Sequence, residues 1–147
     1  MAKHKVLMTG ASGYIASLIL PTMRDHFDLV LADVSDTDRD GNKIEGVYIA
    51  DFIDTDRSKY AHLFEGVDAV IHLAFKPHTA RGSEFEKAPI DRFDNEHENV
   101  QMANNIYRSA YDAGVRRIAV ASSNHAADWY EHSLIHDRKM DMVRPTD

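Results

Sequence analysis

Lys5-Val6-Leu7-Met8-Thr9-Gly10-Ala11-Ser12-Gly13-Tyr14-Ile15-Ala16 is a short apolar run, a glycine turn and the start of an amphipathic segment. Gly10 allows a tight turn out of a strand, and Gly13 lets the backbone come close to an anion. The helix that follows presents free N–H groups and the positive end of its dipole. The third small position is Ala16, where helix and strand pack closely. A turn of this kind between strand and helix is how a doubly wound α/β domain cradles a dinucleotide's pyrophosphate. Asp33 stands at the tip of the next apolar run, Leu29 to Ala32, at about the separation expected of a ribose contact. A carboxylate there accepts hydrogen bonds from ribose hydroxyls and repels a 2′-phosphate, which favours NAD over NADP.

Outward from this corner, short apolar runs alternate with helical patterns. Val6–Met8, Leu29–Ala32, Val47–Ala50, Ala69–Leu73 and Ile118–Ala121 read as five strands. Tyr14 to Arg24 reads as a helix with Ile15, Leu18, Ile19 and Met23 on one face, and Pro21 inside it is expected to kink it or shift a boundary. Ser58 to Phe64 reads as a short helix. Ile90 to Ala113 reads as the longest one, with Val100, Ala103, Ile106, Tyr107 and Ala110 at helix spacing and Gly114 as its cap. Alternation of strand and helix predicts a parallel sheet with right-handed crossovers. The strand runs lack polar alternation, as expected of strands covered on both faces.

The chain has 147 residues, enough for one domain with a sizeable core. Its net charge of −7 argues against a nucleic-acid surface, which needs a basic patch. It contains no cysteine, so thiolate metal sites and cysteine nucleophiles are excluded. No apolar run has the length of a signal peptide or a membrane span, and the expectation is a cytoplasmic protein with no membrane partner. His132 and His136 have i, i+4 spacing but no third ligand, so they read as a solvated segment and no metal is expected. Asp36 to Asp40 reads as a solvated turn. Lys76 to Lys87 reads as a charged loop, solvated or facing a substrate.

Thr9-Gly10-x-x-Gly13-x-x-Ala16 resembles the T-G-x-x-G-x-x-[GA] form of the extended short-chain dehydrogenase/reductases, the NAD-dependent epimerase/dehydratase family. Asp51-Phe52 closes the third strand, where that family sets an acid against the adenine amine. His72-Leu73-Ala74-Phe75 is similar to its H-L-A-A segment, whose backbone runs along the cofactor. Asn99 lies in the long helix, and Ser122-Ser123-Asn124-His125 follows the fifth strand in a form similar to that of uronate dehydrogenases. The resemblance implies an α/β, Rossmann-type doubly wound parallel sheet, truncated after the fifth strand. Residues 1–125 would be the NAD-binding domain, and 126–147 a loop leading toward a Tyr-x-x-x-Lys helix. A fifth strand at the end leaves one sheet edge bare.

The resemblance further implies NAD as cofactor, held by Gly10, Ser12, Gly13, Tyr14, Ile15, Asp33, Asp51, Phe52, Leu73, Ala74, Phe75, Asn99 and Ser122. Ser123 would be the catalytic hydroxyl, and Ser123, Asn124 and His125 would grip a sugar or sugar acid. Family chemistry is hydride transfer at a CH–OH carbon, with a tyrosinate as base and a lysine four residues on. None of the six tyrosines here has a lysine at that spacing, so the chain as written is expected to be inactive. The alternatives are an epimerase or dehydratase acting on a nucleotide sugar, and an NAD(H)-binding sensor without turnover. Tyr107 and Tyr111, one turn apart, read as packed or as part of a homodimer face.

Overall fold

The glycine turn sits at the centre of a five-stranded parallel sheet in a computed structural model, which describes residues 3–77, 89–123 and 136–139. In chain order the elements are β1 (Lys5–Thr9), α1 (Tyr14–His26), β2 (Asp28–Asp33), β3 (Val47–Ile49), two 3-10 turns (Arg57–Lys59 and Ala61–Phe64), β4 (Ala69–His72), α2 (Pro89–Asp112) and β5 (Arg117–Val120). The strand order is β3-β2-β1-β4-β5. The chain therefore winds outward from β1 through β2 to β3, then returns to the other side of β1 with β4 and β5. The reversal places a crevice at the carboxyl ends of β1 and β4, where open α/β sheets bind ligands. In register, Thr9 lies between Ala32 of β2 and His72 of β4.

Each face of the sheet has its own apolar cluster. On one, Leu7, Val70 and Phe52 pack with Tyr60, Phe64 and the inner face of α2 through Met102, Ile106 and Ala110. On the other, Met8 and Leu31 pack with Ala11 and with Ala16 and Leu20 of α1. Burial of this kind supplies most of the driving force for folding, at about 25 cal/mol per Å² of apolar surface. Alternate residues of β1 serve opposite clusters, as the two-residue period of a strand requires.

Several expectations are corrected in detail. The inward stripe of α1 runs through Ala16, Ile19, Leu20 and Met23, while Leu18 is 60% exposed and Ile15 also faces outward. Ala16 has no bulk beyond Cβ, so the helix approaches the sheet along that line and the larger residues beside it turn away. Pro21 lies within α1, on its exposed side, and the helix continues to His26. Among the described residues of α2, Met102, Asn105, Ile106, Ser109 and Ala110 are buried, whereas Val100 is 63% exposed and Tyr107 and Tyr111 face outward.

The segment read as one short helix is two 3-10 turns. The Asp56 carboxylate accepts from Ser58 N at 3.2 Å and from Ser58 Oγ at 2.6 Å, and the Tyr60 backbone breaks the run at φ −132°. Gly114, at φ 74°, closes α2 as expected. Its N–H donates to Tyr111 O at 3.0 Å and that of Val115 to Ala110 O at 2.9 Å, the paired bonds of a Schellman motif. Among the described residues β5 pairs only with β4, and Ala119 and Val120 on it are exposed. No helix among the described residues is long and apolar enough to cross a membrane.

Candidate dinucleotide cleft

The corner is built from β1 outward. After Thr9 the chain turns through Gly10 at φ 74°. A Cβ at Gly10 would lie 2.5 Å from Ala74 N, so only glycine lets the turn and the segment after β4 run this close together. Gly13 N donates to Gly10 O at 3.0 Å, closing the turn, and Gly13 then caps α1 with no side chain to offer. The first helical acceptor bond is Ser17 N to Gly13 O. The amides of Tyr14, Ile15 and Ala16 thus have no acceptor among the described residues, and no acidic side chain occupies the first turn. A helix start that lacks both cap and acid suits an anionic ligand, since its N–H groups and dipole remain to be satisfied.

Asp33 ties this turn to β2. Its Oδ2 accepts from Ser12 N at 2.9 Å and its Oδ1 from Val34 N at 2.6 Å. Each carboxylate oxygen keeps a further lone pair, and the residue lines the cleft. Gly10, Ser12, Gly13, Tyr14, Ile15 and Asp33 line a cleft of about 620 Å³ together with Asp51, Phe52, Leu73, Ala74 and Phe75, so these sequence-derived candidates come together on one surface. Asp51 sits past the end of β3, in a turn where its Oδ1 accepts from Ile53 N at 2.9 Å. The cleft is of ordinary size for a small-molecule or cofactor site.

The remaining candidates lie elsewhere. Asn99 does not line the cleft. Its Oδ1 accepts from Lys76 N at 2.8 Å and its Nδ2 donates to Lys76 O at 3.0 Å, so the amide clips the segment after β4 to α2. A salt bridge of 2.7 Å from Lys76 Nζ to Glu98 reinforces the clip. Ser122 and Ser123 are exposed beyond β5, at the same end of the sheet as the cleft but outside its lining. Asn124, His125 and His132 lie outside the described residues, as does most of the charged loop after Pro77. Among the described residues no group of His, Asp or Glu could hold a metal ion.

Sequence reasoning missed Val34, Arg39, Ile53 and Met102, which also line the cleft. Arg39 comes from the stretch read as a solvated turn. That stretch is ordered by Asp38, whose Oδ1 accepts from Asp40 N and Asn42 N, and it sets the Arg39 guanidinium 5.2 Å from the centre of the Tyr14 ring. The Asn42 amide in particular holds the Asp38 carboxyl below the usual carboxylate range. A loop directly after β2, at the carboxyl edge of the sheet, is the signal that could have drawn attention to it.

His72 is buried, at 6% exposure, with its Nδ1 2.8 Å from Thr9 Oγ1. Burial lowers its pKa, which favours the neutral ring.

Comparison with known proteins places this geometry. The pattern of the NAD dependent epimerase/dehydratase family matches residues 6–146. The chain belongs to that family. This epimerase/dehydratase-family chain is 37% identical over 144 residues to an NAD-dependent glucose-6-phosphate dehydrogenase of Haloferax volcanii, covering 95% of the chain and 50% of the relative. It is 28% identical over 131 residues to a uronate dehydrogenase of Pseudomonas syringae pv. tomato, covering 88% and 43% respectively. A mutant uronate dehydrogenase from Agrobacterium tumefaciens, complexed with NAD, superposes with a TM-score of 0.62 at 25% identity, over 84% of this chain and 42% of that one. The chain thus spans about half the length of the curated relatives it matches.

Proposed function

We propose that the chain is the NAD-binding portion of an oxidoreductase acting on the CH–OH group of a sugar or sugar acid. The observation that carries the reading is the Asp33 carboxylate, bonded to the amide of Ser12 in the glycine turn and facing the same cleft as the uncapped start of α1. In this reading the amides of Tyr14 and Ile15 meet the diphosphate, and Asp33 accepts from the adenosine ribose hydroxyls. The wall from Asp51 to Ile53 takes the adenine. The backbone from Leu73 to Phe75 leads the nicotinamide half toward Ser123 at the end of β5. When bound, NAD supplies the hydride acceptor. Ser122 helps orient the cofactor end, and Ser123, Asn124 and His125 supply polar groups for a substrate.

The residues present bind and orient. A Tyr-x-x-x-Lys pair that would take the hydroxyl proton is not among them, so the chain by itself is expected to bind NAD⁺ without reducing it. The relatives with sugar and sugar-acid dehydrogenase names support the choice of substrate class over the nucleotide-sugar epimerases. The sensor reading rests on the missing pair alone.

Calorimetric titration tests the reading. Saturable NAD⁺ binding is expected, with weaker binding of NADP⁺. Asp33→Ala should weaken NAD⁺ by about tenfold, the worth of a charge-assisted hydrogen bond, and narrow the gap between the two cofactors. Equal NAD⁺ affinity in parent and variant would overturn the assignment of Asp33.

A further inference from the structure

We infer that Asn105, remote from any ligand, is the positioning residue for recognition of the adenine amine. The inference rests on the dinucleotide reading above and deepens it. Asn105 lies on the inner face of α2, beside Met102 and Ile106, and is 4% exposed. An amide buried among apolar groups is costly unless its hydrogen bonds are made. Its Nδ2 lies 2.9 Å from Phe52 O, 3.4 Å from Ile53 O and 3.2 Å from Asp54 O. Three successive carbonyls therefore converge on a group with two protons. Its Oδ1 accepts from Gln101 Nε2 at 2.9 Å, which fixes the orientation of the amide.

Two of the residues that carry these carbonyls, Phe52 and Ile53, line the cleft beside Asp51. Other bonds share the turn: Asp54 N reaches Asp51 O at a long 3.3 Å, Ile53 N bonds the Asp51 side chain, and the Tyr60 hydroxyl donates to Asp54 O at 2.8 Å. Among the described residues this leaves Asn105 as the side chain that reaches the carbonyls of Phe52 and Ile53. That side-chain bond occupies Asp51 Oδ1 and leaves Oδ2 without a hydrogen-bond partner among the described residues, on an exposed carboxylate that lines the cleft. A carboxylate oxygen so placed accepts from an exocyclic amine. Its direction is set by the turn, and Asn105 holds the turn's Phe52 and Ile53 carbonyls. The amide ties α2 to the turn that follows β3 and gives buried carbonyls there a partner, which accounts for a polar residue at this core position.

The test compares NAD⁺ with nicotinamide hypoxanthine dinucleotide, in which a carbonyl replaces the adenine amine. Both are titrated by calorimetry into the chain of residues 1–147 and into its Asn105→Ala, Asp51→Ala and doubly substituted forms. The parent should prefer NAD⁺ by about tenfold, one charge-assisted hydrogen bond's worth. Asn105→Ala and Asp51→Ala should each bring that preference close to one, and the double variant should go no further. Should Asn105→Ala lose its cooperative melt, Gln101→Ala decides, with a preference reduced about threefold, the scale of a neutral hydrogen bond.

An Asn105→Ala chain, or failing that a Gln101→Ala chain, that keeps the parent's preference overturns the inference, because it would mark Asn105 as structural only. A parent that binds NAD⁺ with no preference overturns the inference and leaves the dinucleotide reading standing. A parent that binds neither compound overturns both.

Discussion

At the scale of single residues, Gly10 and Asp33 support the same corner in different ways. Gly10 is required by space and by backbone sign: a Cβ there meets Ala74 N at 2.5 Å, and φ is 74°. Gly10→Ala should therefore cost about 1–3 kcal/mol of stability for the left-handed conformation, and more for the displaced segment after β4. A urea unfolding curve measures it, and a midpoint unchanged from the parent would contradict the tight approach. Asp33 is required by chemistry, through its bonds to Ser12 and Val34 and its remaining lone pairs.

The place of both residues at this corner was legible in the sequence, because each follows a local pattern: glycine where the first strand turns tightly, and an acid at the tip of the second. Asn99 was less so. Its position in the long helix is plain, but its amide is spent on Lys76, which lies 23 positions away in the chain. Asn105 and Arg39 were not legible at all. A buried amide takes its meaning from carbonyls 51–53 positions away, and a loop arginine from the ring it stands over.

At the scale of elements, strand positions followed directly from apolar runs, and the parallel order from their alternation with helices. Helix faces did not. Periodicity identifies a helix, but the stripe turned inward in α1 is set by how closely Ala16 lets it approach the sheet, not by where its largest apolar residues fall. In α2 the same principle buries Asn105 and Ser109 while Val100 and Tyr111 face outward. The end of α2 was readable because Gly114 meets a local demand, φ 74° with open space around it. Gly114→Ala should cost about 1 kcal/mol through the left-handed backbone alone. Thermal unfolding measures this, and an unchanged or raised Tm would contradict the Schellman closure.

At the scale of the whole molecule, the two clusters on either face of the sheet hold a crevice at the ends of β1 and β4, each of which closes on a member of the buried Thr9–His72 pair. Burial lowers the pKa of His72 from its ordinary 6.5. The unfolded chain then binds a proton at this residue at pH values where the folded chain does not. Its contribution to stability is full above about pH 6.5 and is lost as pH falls toward the folded value. His72→Asn, which keeps a hydrogen-bonding group near Thr9, should flatten the dependence of Tm on pH between about 7 and 5. An equally steep dependence in the variant would show that other groups carry it. Asp54, held low chiefly by Lys59, and Asp68, held low chiefly by the Lys5 amide, contribute only further down, as pH falls through the carboxylate range.

NAD⁺ binding of the proposed kind requires the uncapped amides at the start of α1 to receive the diphosphate. The most direct measurement is the amide nitrogen–proton correlation spectrum of isotopically labelled chain during an NAD⁺ titration. The amide signals of Ser12, Tyr14, Ile15 and Ala16 should move the most and saturate together, with those of Val34 and Ile53 following. Signals of these residues that stay in place while NAD⁺ binds would contradict it.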